Sequence, residues 1–463
     1  MLKIFSEEIE KMEIKKNNEY VVDIIDNGFE GEGIAKIDDL TIFIPNVLKG
    51  EKVKIVVTKV LSSYGFGKAL EVIEKSESRV DADCITYKRC GGCNLRHIKY
   101  EKTLEIKKNT VQNLVNKSLK EKVKVSDIIG MEKPFNYRNK AQYPVGINKH
   151  GKPIIGVFAN RSHEIIPINN CLIQNSKTEE IAKYILSYIE KNRISIYNEK
   201  TGKGLIRHIV TKVGVNTNQI MVILVINGKS INNEGNLVKD LTSKFPEIKT
   251  IVRNVNTKNT NVILGNLNRN LFGKGYIEDK LGDFRFKISP HSFYQVNPIQ
   301  TEKLYKLAVD AAEISKEDVV FDLYSGIGTI SIFMSKFAKK VYGIEIVGEA
   351  VKNANENARL NKIENVEFLE GDVEKVLDDL VNKKNVEADI IMVDPPRKGM
   401  DNRSIENILK VKPKKIVYIS CNPSTLIRDI SKMEDAYMIK SIKPVDMFPF
   451  TSNVECVTVL ERK

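Results

Sequence analysis

The sequence has no run approaching the ~20 consecutive apolar residues that a membrane span requires, and Met1 to Lys16 has no apolar core of the secretory kind. These absences point to the cytoplasm and argue against a membrane partner. Cysteine is scarce, six in 463 residues, too few for the disulfide framework of a small secreted fold. In a cytosolic chain they turn instead towards metal binding or catalysis, and their spacing must decide which. No low-complexity segment and no strong internal repeat interrupts the chain, so a repeat architecture is not expected. Acid is the scarcer charge: 60 Asp+Glu against 73 Lys+Arg leave +13. A basic excess favours a polyanion, because each neutralised phosphate releases condensed counterions. Nucleic acid leads, and a merely basic soluble surface is the plain alternative. Hydrophobic residues at 42% and charged residues at 29% are ordinary globular values, and this length implies two or three cores.

From residue 18 to 72, apolar and polar positions alternate in short runs, as in Tyr20 to Ile24 and Lys52 to Val57, with turns such as Gly28 to Gly33 between them. Alternation of this kind predicts a small β-barrel. The segment resembles a TRAM domain, an OB-like module of RNA-modifying enzymes that meets single-stranded nucleic acid through strand faces and loops. Leu104, Val111, Leu114, Val115 and Leu119 recur at helical spacing and predict a helix over 101–119. Residues 135–287 read as mixed α+β, with strands over 205–215 and 220–226 and helices over 178–190 and 234–245. From about Ser289 the pattern becomes regular: a helix over 298–312, then apolar strands over 319–323, 340–344, 366–368, 389–393 and 415–420 with helical stretches between. That alternation is α/β, a doubly wound parallel sheet, and the run 454–460 adds a last, antiparallel strand.

The strand over 319–323 runs into Tyr324-Ser325-Gly326-Ile327-Gly328-Thr329 and then a helix, so the glycine pair lets backbone approach a ligand at the strand's carboxyl end. A lone Gly-x-Gly says little, but Glu345 ends the next strand 19 residues after Gly326, where an acid can meet ribose hydroxyls. Position 331 is Ser, not the third glycine of a dinucleotide fingerprint. S-adenosylmethionine therefore fits better than NAD, since no pyrophosphate has to be cradled. Asp372 and Asp394 follow the third and fourth strands on the same edge; each alone is as readily a turn or helix cap, and it is their register that counts. Upstream, Asn297 is expected to cap the helix over 298–312, with Pro298 in its first turn and Gln300 completing a capping box. Gln295 has no such duty and is placed at the cofactor's amino-acid end.

The strand over 415–420 delivers Ser420-Cys421-Asn422-Pro423 to that same edge and sets a thiol over the methyl donor. Carbon 5 of uracil is a poor nucleophile; a thiolate adding at carbon 6 makes an enolate whose carbon 5 can attack a methylsulfonium. A base must then take the proton from carbon 5 so that the adduct can eliminate, and Glu455, at the start of the final strand, is the candidate. The bland fate of a free cysteine is a small buried hydrophobe. That is the expectation for Cys456, which alternation turns away from the face of Glu455.

Five stretches, Phe293 to Asn297, Asp322 to Gly328, Asp394 to Gly399, Ser420 to Pro423 and Asn453 to Glu455, together resemble the bacterial RNA uracil-5 methyltransferase family, and with the barrel the resemblance spans nearly the whole chain. It implies a class I, Rossmann-like methyltransferase domain in which Gln295, Tyr324, Thr329, Glu345, Asp372 and Asp394 touch S-adenosylmethionine, Cys421 is the nucleophile and Glu455 the base. Asp394-Pro395-Pro396 has a competing meaning, since an acid or amide before Pro-Pro-aromatic marks methylation of exocyclic amines; here Arg397 replaces the aromatic that would stack on a flipped base.

Cys84, Cys90 and Cys93 are separated by five and two residues, with Cys171 far downstream. By count alone four thiolates suit zinc or an iron-sulfur cluster. Three clustered cysteines with one remote resemble the 4Fe-4S site of the branch directed to 23S ribosomal RNA, whereas the tRNA-directed branch generally lacks both barrel and cluster. The resemblance thus implies 23S rRNA as partner, with no obligate protein partner. Arg89, Arg96, His97, Lys99 and Lys102 with Tyr87 and Tyr100, the stretch Phe135 to Lys140, and Arg207-His208 are candidates to meet RNA or simply a solvated basic face. The expected division is a barrel over 13–73, a central α+β domain carrying the four-cysteine site over 74–288, and the methyltransferase domain over 289–463. Rival readings are a tRNA uridine-5 methyltransferase, an amine methyltransferase that would not need Cys421, and a non-catalytic iron-sulfur RNA-binding protein on a methyltransferase fold.

Overall fold

The computed structural model describes residues 14–160 and 162–463. Most of the N-terminal stretch read above for its lack of an apolar core, and residue 13, where the barrel was set to begin, lie outside the described residues. The chain divides into two compact units, one of residues 1–83, 93–106 and 450–452, the other of 84–92, 107–449 and 453–463.

In the first unit, alternation along the sequence becomes one six-stranded sheet in the order Glu19–Asp23, Lys52–Val60, Tyr64–Glu74, Leu40–Ile44, Gly33–Ile37, Asp26–Asn27. Val53, Ile55 and Val57 face inward with no exposed surface, packing on Ile42, Ile44 and Val22. Lys52 and Lys54, on the opposite face, keep their ammonium groups towards solvent. Glu51 lies under this core at 1% exposure. It is satisfied there by the Arg79 guanidinium and by the amide of Leu48 at 2.8 Å, which is the condition for burying a carboxylate.

The second unit contains two seven-stranded sheets. The central one runs Leu267–Gly273, Ile248–Val255, Gln219–Ile226, Ile206–Gly214, Lys140–Ile147, Pro153–Phe158, Ile165–Pro167. All nine residues of Ile206–Gly214 are buried. Ile209 on one face joins Ile181, Ile185 and Ile189 of the helix Ser176–Lys191, while Val210 on the other joins a core shared with Phe286 and Leu304.

The last sheet has the order Val366–Glu370, Lys340–Glu345, Val319–Leu323, Ile390–Val393, Lys415–Ser420, Glu455–Arg462, Tyr437–Val445. Glu455–Arg462 is antiparallel to both neighbours, and the strands from Val366 to Ser420 are parallel. The order reverses between Val319–Leu323 and Ile390–Val393, where the crossovers leave in opposite directions. That reversal opens the crevice in which α/β sheets bind ligands. The helix Pro298–Ala312 stands where its pattern set it, capped by Asn297, whose side chain accepts from the Gln300 amide at 3.3 Å. The reciprocal half of the capping box is not formed. Gln300 is fully buried and its side-chain amide is spent elsewhere, donating to Ile129 O and Asp446 O at 3.2 and 3.0 Å. The strand Tyr437–Val445 was not evident beforehand: it lies at the sheet edge, is interrupted by a bulge between Ile439 and Ser441 and carries Pro444, features that blur alternation. Among the described residues no helix is long and apolar enough to cross a membrane.

Candidate active site

The strand Val319–Leu323 ends in a loop that ordinary residues would not adopt. Tyr324, Gly326 and Gly328 have φ of 70°, 56° and 81°, in the left-handed region that costs an L-residue about 1–2 kcal/mol. A Cβ on Gly328 would come 2.5 Å from the Phe368 ring, whereas one on Gly326 would meet nothing within 4 Å. Packing therefore requires Gly328, and Gly326 leaves bare backbone facing open space. Glu345, ending the neighbouring strand, accepts from the amides of Gly326 and Val347 at 3.0 and 2.9 Å, so its carboxylate is fixed across the mouth of the loop.

Below it Asp322 is 1% exposed. One oxygen takes the Ser331 hydroxyl, and the other has no partner. Burial, with the charge of Asp394 adding to it, pushes its carboxyl up to about 7. Asp394, half-buried at the crevice surface but deeply surrounded by protein, is pushed up by that burial to about 7 as well. Thr329 bonds the Tyr305 hydroxyl at 3.0 Å. Asp372 is exposed and caps the helix Val373–Asp378, accepting from the Glu374 amide at 3.0 Å; local structure already accounts for it. Gln295 is buried at 8% exposure. Its carbonyl accepts from the Asn139 side chain at 3.0 Å, and Lys212 fastens the same loop by donating to Ser289 O and Ser292 O, each at 2.8 Å.

Cys421 is half-buried and follows Lys415–Ser420 at the same edge. Its loop is held tightly. Asn422 caps the helix Pro423–Ser431, accepting from Ser424 N at 3.1 Å while donating to Arg397 O at 3.1 Å. Asp429 takes the Met400 amide and the Tyr418 hydroxyl, both at 2.8 Å. Ser420 pairs with Cys456 at the end of the antiparallel ladder, and Cys421 and Glu455 are the residues that lie next beyond that last pair, one on each chain segment. The electrostatics agree. Burial first, then Glu455 and Asp394, push the Cys421 thiol up to about 11, with Arg397 opposing. Glu455, 3% exposed, is pushed up by burial and by Asp394 to about 8. Near neutrality the site therefore holds a thiol S–H beside a carboxyl balanced between acid and base, a combination suited to covalent addition and proton removal. Cys456 is wholly buried in the core.

Two members of this group were not singled out in the sequence. Tyr305 had the spacing of a core residue, yet it is bonded to Thr329 and feels Asp394, Glu455 and Asp322. Arg397 was noted only as a missing aromatic, and it is the cation nearest in effect to both Cys421 and Glu455.

Cys84, Cys90, Cys171, Cys421 and Cys456 are free thiols. Cys84, Cys90 and Cys171 lie close enough to feel one another's charge, and Cys93 belongs to the unit built on the first sheet. Among the described residues no group of three or more His, Cys, Asp or Glu side chains is arranged to hold a metal ion. Arg96 and His97 do not stand out to meet RNA. Each is 3% exposed; Arg96 is bonded to Asp83 at 2.6 Å and stacked 4.2 Å over the Phe450 ring, a buried cation held by its counter-charge. Tyr87 is likewise buried.

A family model described as tRNA (Uracil-5-)-methyltransferase matches residues 99–463, and a TRAM domain model matches residues 15–70. An uncharacterized RNA methyltransferase of Clostridium acetobutylicum is 45% identical over 453 residues, 97% of this chain and 98% of its own. Another, of Listeria innocua, is 44% identical over 451 residues, covering 97% and 99%. Among solved structures, that of Pyrococcus abyssi tRNA (uracil-54, C5)-methyltransferase in complex with S-adenosyl-L-homocysteine has a TM-score of 0.76 at 26% identity, over 95% of this chain and 100% of that one.

Proposed function

This chain belongs to the tRNA (uracil-5-)-methyltransferase family, whose model matches residues 99–463, and from that premise we propose that it methylates carbon 5 of a specific uridine in RNA with Cys421 as nucleophile and Glu455 as base. It is an S-adenosylmethionine-dependent RNA methyltransferase with an N-terminal TRAM domain. The observation that carries the mechanistic reading is the thiol of Cys421 close enough to the buried carboxyl of Glu455 to feel its charge, beside Asp394, at the carboxyl edge of the sheet.

S-adenosylmethionine, when bound, supplies an electrophilic methyl group. The bare backbone at Gly326, the fixed carboxylate of Glu345 and the unpartnered oxygen of Asp322 suit such a ligand. Glu345 would take ribose hydroxyls and Gln295 the amino-acid end, with Tyr324, Thr329, Asp372 and Asp394 completing the contacts. Cys421 loses its proton to solvent and its sulfur bonds carbon 6 of the uracil, moving the 5,6 electron pair towards oxygen 4 and leaving Glu455 free for the later proton. Carbon 5 takes the methyl group. The carboxylate form of Glu455, made more basic by burial, removes the proton from carbon 5; the double bond re-forms and the carbon–sulfur bond breaks. Carbon 6 is inaccessible inside a stack, so the uridine must be flipped out.

The RNA is proposed to be 23S rRNA, on the strength of the four thiols Cys84, Cys90, Cys93 and Cys171, read as ligands of a 4Fe-4S cluster that staples the central domain and takes no part in the chemistry. Cysteine thiolates are the ligands that such a cluster takes. The Pyrococcus structure favours a second reading, a tRNA uridine, since that protein is a tRNA methyltransferase matching over its whole length. The organisation is proposed as RNA-binding barrel 13–73, central domain 74–288 and methyltransferase domain 289–463, in the cytoplasm. The test is incubation with S-adenosylmethionine and either 23S rRNA or tRNA containing 5-fluorouridine, followed by mass spectrometry. Fluorine blocks proton removal, so the expected result is an adduct at Cys421 with the rRNA; methyl transfer to normal RNA without any adduct would overturn the thiolate mechanism, and an adduct with tRNA alone would select the second reading.

A further inference from the structure

We propose that a cleft in the central sheet, sharing no residue with the Cys421 edge, docks unpaired nucleotides of the RNA substrate. The cleft has a volume of about 1080 Å³, just above the ~300–1,000 Å³ range of small-molecule pockets, room for more than one nucleotide. Aromatic rings line its walls, the exposed His163 among them. Phe158 lies between His163 and His208, with centroids 5.5 and 6.5 Å away, and Tyr197 carries the Arg207 guanidinium 4.3 Å over its ring. Unstacked bases bind such rings irrespective of sequence.

The wall also holds a cation without a counter-charge. Arg207 is 4% exposed; its Nη1 donates to Asn256 O and Lys258 O at 2.8 Å each, its Nε has no partner, and no carboxylate pairs with it among the described residues. A desolvated, unpaired guanidinium is costly, and a phosphate entering the cleft would offset that cost. His208, 7% exposed, has an unpartnered Nδ1. Burial holds its imidazole down to about 4, so it offers a neutral ring and a hydrogen bond. On the rim, Arg89 and His163 are committed to Glu164 and Glu199 at 2.6 and 2.8 Å, whereas the exposed Lys149 and Lys200 have no carboxylate partner among the described residues. An acidic peptide would use the cations and leave the rings idle; single-stranded RNA uses both.

The inference rests on the reading that the substrate is RNA, and its test separates the two. A fluorescein-labelled, unstructured RNA of about ten nucleotides, within the usual single-strand site size, is titrated by anisotropy with the full chain over a salt series. Replacing Lys149 and Lys200 together by Ala is expected to weaken binding severalfold and flatten the slope of log K against log salt by about 0.7 for each phosphate left without its lysine. His208→Ala should weaken binding at least fivefold with the slope kept, and neither change should alter affinity for S-adenosylhomocysteine. Unchanged Kd and slope in the double lysine variant would overturn the assignment, as would an acidic peptide that competes as well as RNA. If the wild-type chain left uridine unmethylated while the lysine variant still flattened the slope, the catalytic reading would fall and the cleft would stand.

Discussion

Alkylation of Cys421 by iodoacetamide reports how this thiol is held. Burial, Glu455 and Asp394 raise it from an ordinary 9.0 to about 11. At pH 8 the thiolate fraction falls from about one in ten to about one in a thousand, a ~100-fold loss. A more basic thiolate is intrinsically more reactive, by ~6–10-fold over two pKa units at a Brønsted coefficient of 0.4–0.5. Cys421 should therefore react about tenfold more slowly than an unperturbed cysteine, and its rate should climb about tenfold per pH unit from 7 to 10 without a plateau. Peptide mass spectrometry of timed reactions reads this directly, and the fully buried Cys456 gives the unreactive reference. In Glu455→Gln the second cause of the shift is gone, so alkylation at pH 8 should be severalfold faster. A plateau below pH 8 in the wild type would refute the reasoning. It would mean that Arg397 outweighs burial and both carboxyls, leaving the free protein with a preformed thiolate.

Further outcomes follow from the same geometry. Glu455→Gln should still form the Cys421 adduct and accept the methyl group but fail to release RNA, so a covalent complex should accumulate with unmodified RNA on denaturing gels; free methylated product at the wild-type rate would remove Glu455 as base. The same variant tests linkage. Because the folded pKa of Glu455 is raised from 4.5 to about 8, the folded state binds more protons than the unfolded one between those values, and this group lowers stability progressively as pH rises from about 4.5 to 8. Glu455→Gln should then raise Tm at pH 9 by several degrees more than at pH 5, on the order of ~2–4 °C per kcal/mol for a large domain; an equal effect at both pH values would contradict the raised pKa. Protein purified without oxygen should carry iron and absorb visible light, and Cys171→Ser should lose both while still binding S-adenosylhomocysteine; a colourless, iron-free wild type would remove the cluster.

The methyltransferase sheet was legible because its strands are buried on both faces and read as unbroken apolar runs, such as Ile390–Val393 with every residue buried. Cys421, Glu455, Asp394 and Glu345 were legible because each lies at the end or the start of such a strand, so chain position alone fixes the edge it reaches. Tyr305 was hidden because its apolar ring satisfies a core pattern and only its hydroxyl enters the site. Arg96 and His97 misled in the opposite sense: a basic run looks solvated until Asp83 and Phe450 close over it. The edge strand Tyr437–Val445 was obscured by its bulge and proline. Asp372 shows the limit of register arguments, since a residue in line with three others also caps a helix, which by itself would explain its presence.

The strand Glu455–Arg462 lies between Lys415–Ser420 and Tyr437–Val445, two strands made before it. Emerging from the ribosome, the chain thus already holds Cys421, the proposed nucleophile, while the place between those strands is still open. The segment that fills it also brings Glu455, the proposed base. On that proposal, completion of the sheet and acquisition of turnover are one event, and an unfinished chain would have no ordered partner for Cys421 with which to release an RNA it had captured.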